Sequence, residues 1–347
     1  MANIINIINT ILANVKYLRT IEQIWVDKET ICAGNNAVTA RCRVMGREGK
    51  WLIKCYYRHK PNLKEIYGDA LYENELGLYS IDGHMEYIDI LLMPWVEGRP
   101  LDELIGNPNS DYTKLSKSFD KLALDMLGSE YAHGDIKPDN IIVDDELNMR
   151  FIDLDAMWRP DLTNYISTEI GTLAFRHPRR NHNHYKKAID DYPLALISTT
   201  LAALASDRRL EAKLNSDKML FYPSDCVYDT NETLDSVISL FERNKDTAHK
   251  SIAESLRSIS PVIHGLHKRF YIAVNGNTKG YQRPKHEIEF DITPQQLSKA
   301  RSAANGHNIA NIGNGSRWTP DDDMLLAILL FDNNRISSIA RYMKRSE

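Results

Sequence analysis

The feature that most constrains this chain is the run HGDIKPDN at His133 to Asn140, followed by FIDLD at Phe151 to Asp155. Two short apolar runs, NIIVDD and MRFIDL, flank a turn at Asp144 to Asn148 and read as a strand pair. In this frame Asp135 is a carboxylate in a loop and Lys137 a nearby cation. Asn140 offers a neutral oxygen, and Asp153, at the end of the second strand, an anionic one. Oxygen ligands without a thiolate suit a hard cation, Mg²⁺ or Mn²⁺. A turn or capping aspartate would account for Asp135 alone, but it leaves the other three unexplained.

Phosphoryl transfer requires such a set: cations to neutralise phosphate charge, carboxylates to hold those cations, and a carboxylate to orient the hydroxyl nucleophile. Asp135 would orient the hydroxyl, Lys137 would reach the transferring phosphate, and Asn140 and Asp153 would hold metal.

The rest of the chain sets the frame. It has 347 residues, 43% hydrophobic and 26% charged, enough for a two-lobed core with an appendage. A net charge of −4 points to neither a nucleic-acid binder nor a polybasic membrane binder. Cys32, Cys42, Cys55 and Cys226 lack C-x-x-C spacing and read as reduced thiols of a cytoplasmic protein. In residues 1–18, Asn3, Asn6, Asn9 and Asn14 interrupt the apolar run, which argues against a signal peptide. Ile4, Ile8, Ile11, Leu12 and Val15 form a helical stripe, favoured as packing on its own domain over docking to a partner or membrane. No run is long enough to span a bilayer.

Residues 21–57 are β-branched and turn-punctuated, predicting an antiparallel meander. Residues 63–81 carry apolar positions at helical spacing, YIDILLMPWV returns to strand texture, and LSKSFDKLALDMLGSEYA predicts a helix. Beyond Asp190 the chain reads as mostly helical, with 251–274 as one apolar-periodic stretch. His177, His182 and His184 stand among Arg176, Arg179, Arg180, Lys186 and Lys187. A solvated basic surface is favoured there over a metal site, because H-x-H lacks a third ligand at set spacing.

The central segment resembles the protein-kinase pattern H-R-D-x-K-x-x-N followed by D-F-G. The resemblance extends over about 21–270 and implies an α+β, two-lobed protein-kinase-like fold: a small antiparallel β-sheet lobe with one helix, a large mainly helical lobe, and a helical C-terminal appendage. It divides the chain into an amphipathic helix (1–18), an N-lobe (19–97), a C-lobe (98–274), a linker (275–316) holding a short helix near 293–303, and a tail (317–347). KWLIKCYY resembles the third-strand lysine motif, so Lys54 would position ATP phosphates. YENELGLY would supply its glutamate partner on the following helix, Glu75 in preference to Glu73. Met93, Trp95 and Val96 of ILLMPWV would present backbone groups to adenine. IGTLAFRHPRR resembles the end of an activation segment, with Thr172 bonding near Asp135. DDYPLA places Asp190 as the brace of the catalytic loop, and His133 supports it.

The pattern also departs from the family. Gly34 stands alone where three glycines are usual, Gly134 replaces the arginine of H-R-D, DLD replaces D-F-G, and Arg179 replaces the final glutamate of A-P-E. The residues around these motifs are similar to a group of bacterial kinase-like proteins. RWTPDDDMLLAILLFDNNRISSIARYMKRSE resembles the opening of a Myb/SANT-like domain, but it stops before a third, groove-reading helix. Nucleic-acid binding is therefore not expected, and a helical hairpin packed on the protein or a partner is favoured. The leading expectation is an ATP- and Mg²⁺-dependent Ser/Thr protein kinase with a protein substrate. A pseudokinase scaffold and a small-molecule kinase are the alternatives.

Overall fold

The computed structural model describes residues 4–13, 15–79, 83–162, 169–184, 186–228, 231–258 and 260–285. The Myb/SANT-like segment, most of the linker and its short helix lie outside the described residues. The fold is α+β, and the chain divides into two compact units, Met1–Glu97 and Gly98–Glu347.

The first unit is built on an antiparallel sheet. Its strands are β1 (Ile24–Val26), β2 (Cys32–Ala33), β3 (Ala37–Val44), β4 (Trp51–Tyr56), β5 (Leu71–Tyr79) and β6 (Met85–Pro94). The order is β1-β3-β4-β6-β5, with β2 also pairing with β3. Side chains alternate across a strand, so Val38, Ala40, Cys42 and Val44 of β3 share one buried face with Ile53 and Cys55 of β4. Helix α1 (Ile4–Leu12) closes that face through Ile7 and Ile11, with Ile4 and Ile8 partly buried against it. The predicted stripe is thus shifted: Ile7 enters the core and Leu12 is left exposed. On the other face, helix α2 (Leu63–Tyr67) packs Leu63 and Tyr67 against Tyr56, Leu71 and Leu91.

The helix expected over 63–81 is mostly a strand. Only five residues are helical before Gly68, whose φ of 55° ends α2, and β5 begins at Leu71. Glu75 is therefore a strand residue.

The second unit opens on a three-stranded sheet, β7 (Arg99–Pro100), β8 (Ile141–Val143) and β9 (Met149–Phe151), in the order β7-β8-β9. Its helices are α3 (Leu101–Leu104), α4 (Tyr112–Gly128), α5 (Asp191–Ser206), α6 (Pro223–Tyr228), α7 (Glu232–Arg243), α8 (Thr247–Ser255) and α9 (Leu266–Asn275). Caps fix several starts: Asp111 accepts from the Lys114 amide (3.1 Å), Asn231 from Leu234 (2.9 Å) and Asp246 from His249 (3.1 Å). α5 is buried along nearly its whole length, which makes it the axis on which α4, α7 and α8 pack. Phe119, Tyr192, Phe241 and Phe270 fill the core. The single helix expected over 251–274 is two, because the chain turns through Pro261 and restarts after Gly265, whose φ is 70°.

Among the described residues, no helix is long and apolar enough to cross a membrane. All four cysteines are free; Cys42, Cys55 and Cys226 are buried, and Cys32 is exposed.

Candidate functional site

In the second unit, the loop from Ala132 to Asn140 is held at nearly every peptide. It enters as an antiparallel bridge in which Ala132 and Trp158 exchange backbone bonds of 2.9 Å. The fully buried Asp190 then takes two amides: His133 N–H donates to Oδ2 (2.5 Å) and Gly134 N–H to Oδ1 (2.9 Å). The His133 ring lies beneath the loop. Its Nδ1 accepts from the Asp135 amide (3.2 Å), which leaves Nε2 to carry the proton and donate to the Ile152 carbonyl (2.8 Å). His133 thereby links Asp135 to the residue preceding Asp153.

Asn140 makes a second link. Its backbone carbonyl accepts from the Ile152 amide (2.9 Å), and its Nδ2 donates to the Asp135 carbonyl (2.8 Å). A carbonyl can only accept, so this bond fixes the amide's orientation and leaves Oδ1 as its acceptor side. Asp153 follows at the end of β9, exposed, with φ at 62°. A left-handed aspartate costs on the order of 1 kcal/mol, and such strain tends to persist at functional sites.

Asp135 itself is fixed from the segment after Ile170. Thr172 donates twice to Asp135 Oδ1, from its amide (2.7 Å) and from Oγ1 (2.9 Å). Lys137 lies 3.3 Å from Asp139. Asp135, Asn140, Thr172, Asp190 and His133 are thus brought together, with Asp153 tied to them through Ile152.

Gly134 shows why the loop carries no side chain at its second position. Its φ is 88°, and a Cβ there would lie 2.0 Å from the Ala156 carbonyl oxygen. Only glycine fits.

The basic run after Thr172 departs most from expectation. His177 and Arg180 are buried, at 1% and 6% exposure, so the favoured solvated surface is incorrect for both. His177 Nε2 donates to the Ser258 carbonyl (2.9 Å) and Nδ1 accepts from the Arg179 amide (3.1 Å). Burial outweighs the Ser258 bond and pulls its pKa down to about 4. Arg180 donates to the Gly134 carbonyl (2.7 Å) and, more weakly, to Ile189 (3.4 Å). Burial lowers its pKa, against the pull of Asp190 and Asp135. The sequence reading missed Arg180; its signal was a basic residue shortly after the HP pair, indistinguishable from its exposed neighbours. Among the described residues, no three His, Cys, Asp or Glu side chains group as a metal site.

In the first unit, Lys54 sits on the central strand β4, paired with Thr39 and Leu91, and is only 8% exposed. Alternation puts it on the same face as Tyr56, whose ring centroid is 5.3 Å from Nζ. This is the face that α2 covers. Glu75 is not available to it in the expected way: its Oε1 accepts from the amides of Thr20 (2.7 Å) and Ile21 (2.8 Å), and Oε2 from Thr20 Oγ1 (2.8 Å). These bonds staple the segment after α1 to β5. Of the expected adenine-binding backbone, Met93 and Pro94 end β6 and Val96 follows. Pro94 has no N–H, and the Trp95 amide donates to the Lys50 carbonyl (2.9 Å), which withdraws Trp95 as a donor. The turn around Gly34 is a closed hairpin: the Gly34 amide donates to Ala37 (2.9 Å), and Tyr57 O–H donates to the Gly34 carbonyl (2.5 Å).

No protein-family model matches the chain, and no curated protein matches it by sequence.

Proposed function

We propose that this protein is an ATP- and Mg²⁺-dependent phosphotransferase of protein-kinase-like fold, acting on a serine or threonine hydroxyl of a protein substrate. The observation that carries the reading is the fixing of Asp135: Thr172 takes Oδ1 twice, while the backbone on either side is held by His133, Asn140 and Asp190. A carboxylate held this firmly in a half-buried loop is preorganised to orient a nucleophile. Thr172 donates to Oδ1 from both its amide and its hydroxyl, so Oδ2 is the oxygen for the acceptor hydroxyl.

The donor set suits Mg²⁺. Asn140 Oδ1 and Asp153 are hard oxygen donors, and so small a protein set fits a cation that keeps several waters and binds through substrate phosphates. The metal, when bound, would neutralise charge on the phosphates. Lys54 would contact the nucleotide phosphates, desolvated enough for a cation to act strongly. Glu75 is committed to Thr20 and Ile21, so the reading rests on Lys54 without the glutamate partner expected for it.

A second reading, a pseudokinase scaffold, is favoured by the hairpin at Gly34. Its glycine amide is engaged by Ala37, so the turn offers phosphate fewer backbone donors than a glycine-rich loop does. One experiment separates the two: thermal stabilisation by ATP with and without Mg²⁺, then ³²P transfer from [γ-³²P]ATP by the wild type and Asp135→Ala. Transfer abolished by the substitution supports the phosphotransferase. Stabilisation without transfer supports the scaffold.

A further inference from the structure

We propose that Arg180 is a positioning residue for Asp135: it clamps the peptide group that carries Asp135, and it packs against the turn at Gly171 that delivers Thr172. The inference rests on the phosphotransferase reading for its kinetic consequence, but not for its structural one.

The Gly134–Asp135 peptide is gripped at both ends. Its carbonyl, on Gly134, accepts from an Arg180 guanidinium nitrogen at 2.7 Å, and its N–H, on Asp135, donates to His133 Nδ1 at 3.2 Å. The preceding peptide is held separately by Asp190. Removing the guanidinium would free one end of the plane whose rotation swings the Asp135 side chain. It would also uncover a buried carbonyl.

The same guanidinium lies against the Thr172 segment. A Cβ on Gly171 would lie 2.9 Å from an Arg180 terminal nitrogen and 3.1 Å from the Gly134 carbonyl oxygen. The guanidinium therefore passes directly over Gly171, whose φ of 77° turns the chain just before Thr172. Side-chain bulk at Gly171 would break the approach.

Stability alone does not explain a cation here. A buried charge is expensive to desolvate, and an apolar side chain of similar volume commonly does as well. The cost makes sense when the charge sets a geometry: Asp190 and Asp135 supply the opposing charge, and the donor reaches the one carbonyl adjacent to Asp135. Gly134 has no side chain with which to do the same from within the loop.

The test uses the full chain with Arg180→Met, which keeps length but removes every donor, and Arg180→Lys, which keeps charge but loses the planar fork. Amide exchange is followed over 133–136 and 169–176, with α7 as the reference for global folding. Arg180→Met should speed exchange of the Gly134, Asp135 and Thr172 amides at least tenfold while α7 stays protected. It should also lower kcat for phosphotransfer by about 10- to 100-fold with KM for ATP changed by less than about threefold, the signature of a lost orienting bond to a charged group. Arg180→Lys should fall between. Unchanged exchange and kcat in Arg180→Met would overturn the proposal. If Arg180→Met also loses protection in α7, the Lys variant decides, and wild-type exchange and kcat in it would overturn the clamp. Loosened loop amides in a protein whose wild type transfers no phosphate would uphold the clamp and sink the phosphotransferase reading.

Discussion

Replacing Gly134 by alanine tests the loop's construction independently of any activity. The added Cβ meets two costs. A left-handed φ of 88° costs a non-glycine residue about 1–2 kcal/mol. The second cost is collision: the Cβ lies 2.0 Å from the Ala156 carbonyl oxygen and 2.8 Å from its carbon, both backbone atoms, so no rotamer change relieves it. To reach ordinary contact the loop must move by more than an ångström. That movement strains the Asp190 bonds to His133 and Gly134 and the Arg180 bond to Gly134, charge-assisted bonds worth about 1.5–3 kcal/mol each. Losing one or two of them gives a total of about 2.5–8 kcal/mol, a large share of a typical domain's stability. Gly265→Ala is the control: its φ is 70° and nothing lies within 4 Å of its Cβ, so it should cost only the backbone part. Urea unfolding of both variants gives the difference from midpoints at a common slope. Gly134→Ala should lose at least about 1.5 kcal/mol more than Gly265→Ala. Equal losses would refute the close approach of Ala156 and, with it, the account of why this position is glycine.

His249 should make stability fall on the alkaline side. Burial opposes its charge, but bonds to Asp120 (2.9 Å) and Asp246 (2.6 Å) win and raise its pKa to about 10. The contribution is therefore full below about 6.5 and lost as pH rises through about 10; urea midpoints across that window should decline, and His249→Gln should flatten the decline. His177 acts on the other side: with its pKa pulled by burial to about 4, its contribution should be lost as pH falls from about 6.5 toward 4, and a His177→Gln variant should unfold with a weaker acid dependence. Thiol titration should find Cys32 reactive at once in the native protein and Cys42, Cys55 and Cys226 only on unfolding, since burial raises the thiol pKa of Cys42 and Cys226 to about 12 and that of Cys55 further still. Lys54→Met should weaken ATP binding by calorimetry, whereas Glu75→Gln should lower thermal stability by loosening Thr20 and Ile21; a binding loss in Glu75→Gln at unchanged stability would reverse that assignment.

The sequence made the 133–155 loop legible because its members are close together and their spacing carries the arrangement. Asp190 and Thr172 were legible through motif resemblance and turned out to contact the loop directly. Other residues were hidden for specific reasons. Glu75 was misplaced because a β-bulge between Tyr72 and Leu76 breaks the two-residue alternation of β5, and the shifted apolar positions then mimic helical spacing. Arg180 and His177 look like surface residues because their burial is decided by Gly134, Ile189 and Ser258, distant in sequence or without a side chain that advertises the contact. Pro261 and Gly265 were visible as breakers, yet the apolar period on either side of them reads as continuous.

Two of the left-handed backbone positions of the site, Gly134 and Asp153, have opposite chemistry. At Gly134 the left-handed conformation is relieved by glycine, so the fold avoids strain where no side chain is needed. At Asp153, with φ at 62°, the chain keeps a carboxylate in a conformation that glycine or asparagine would tolerate at least as well. The aspartate sits on an exposed strand end, where its backbone conformation costs on the order of 1 kcal/mol. It presents an anionic oxygen at a point fixed through Ile152 to His133 and Asn140. On the proposed phosphotransferase reading, that is where a cation-holding group would stand beside the preorganised Asp135 carboxylate. If Asp153→Asn leaves stability intact or slightly higher while abolishing Mg²⁺-dependent ATP stabilisation, the strain is tied to ligand binding; if it changes neither, the case for chemistry at this loop weakens at its metal end first.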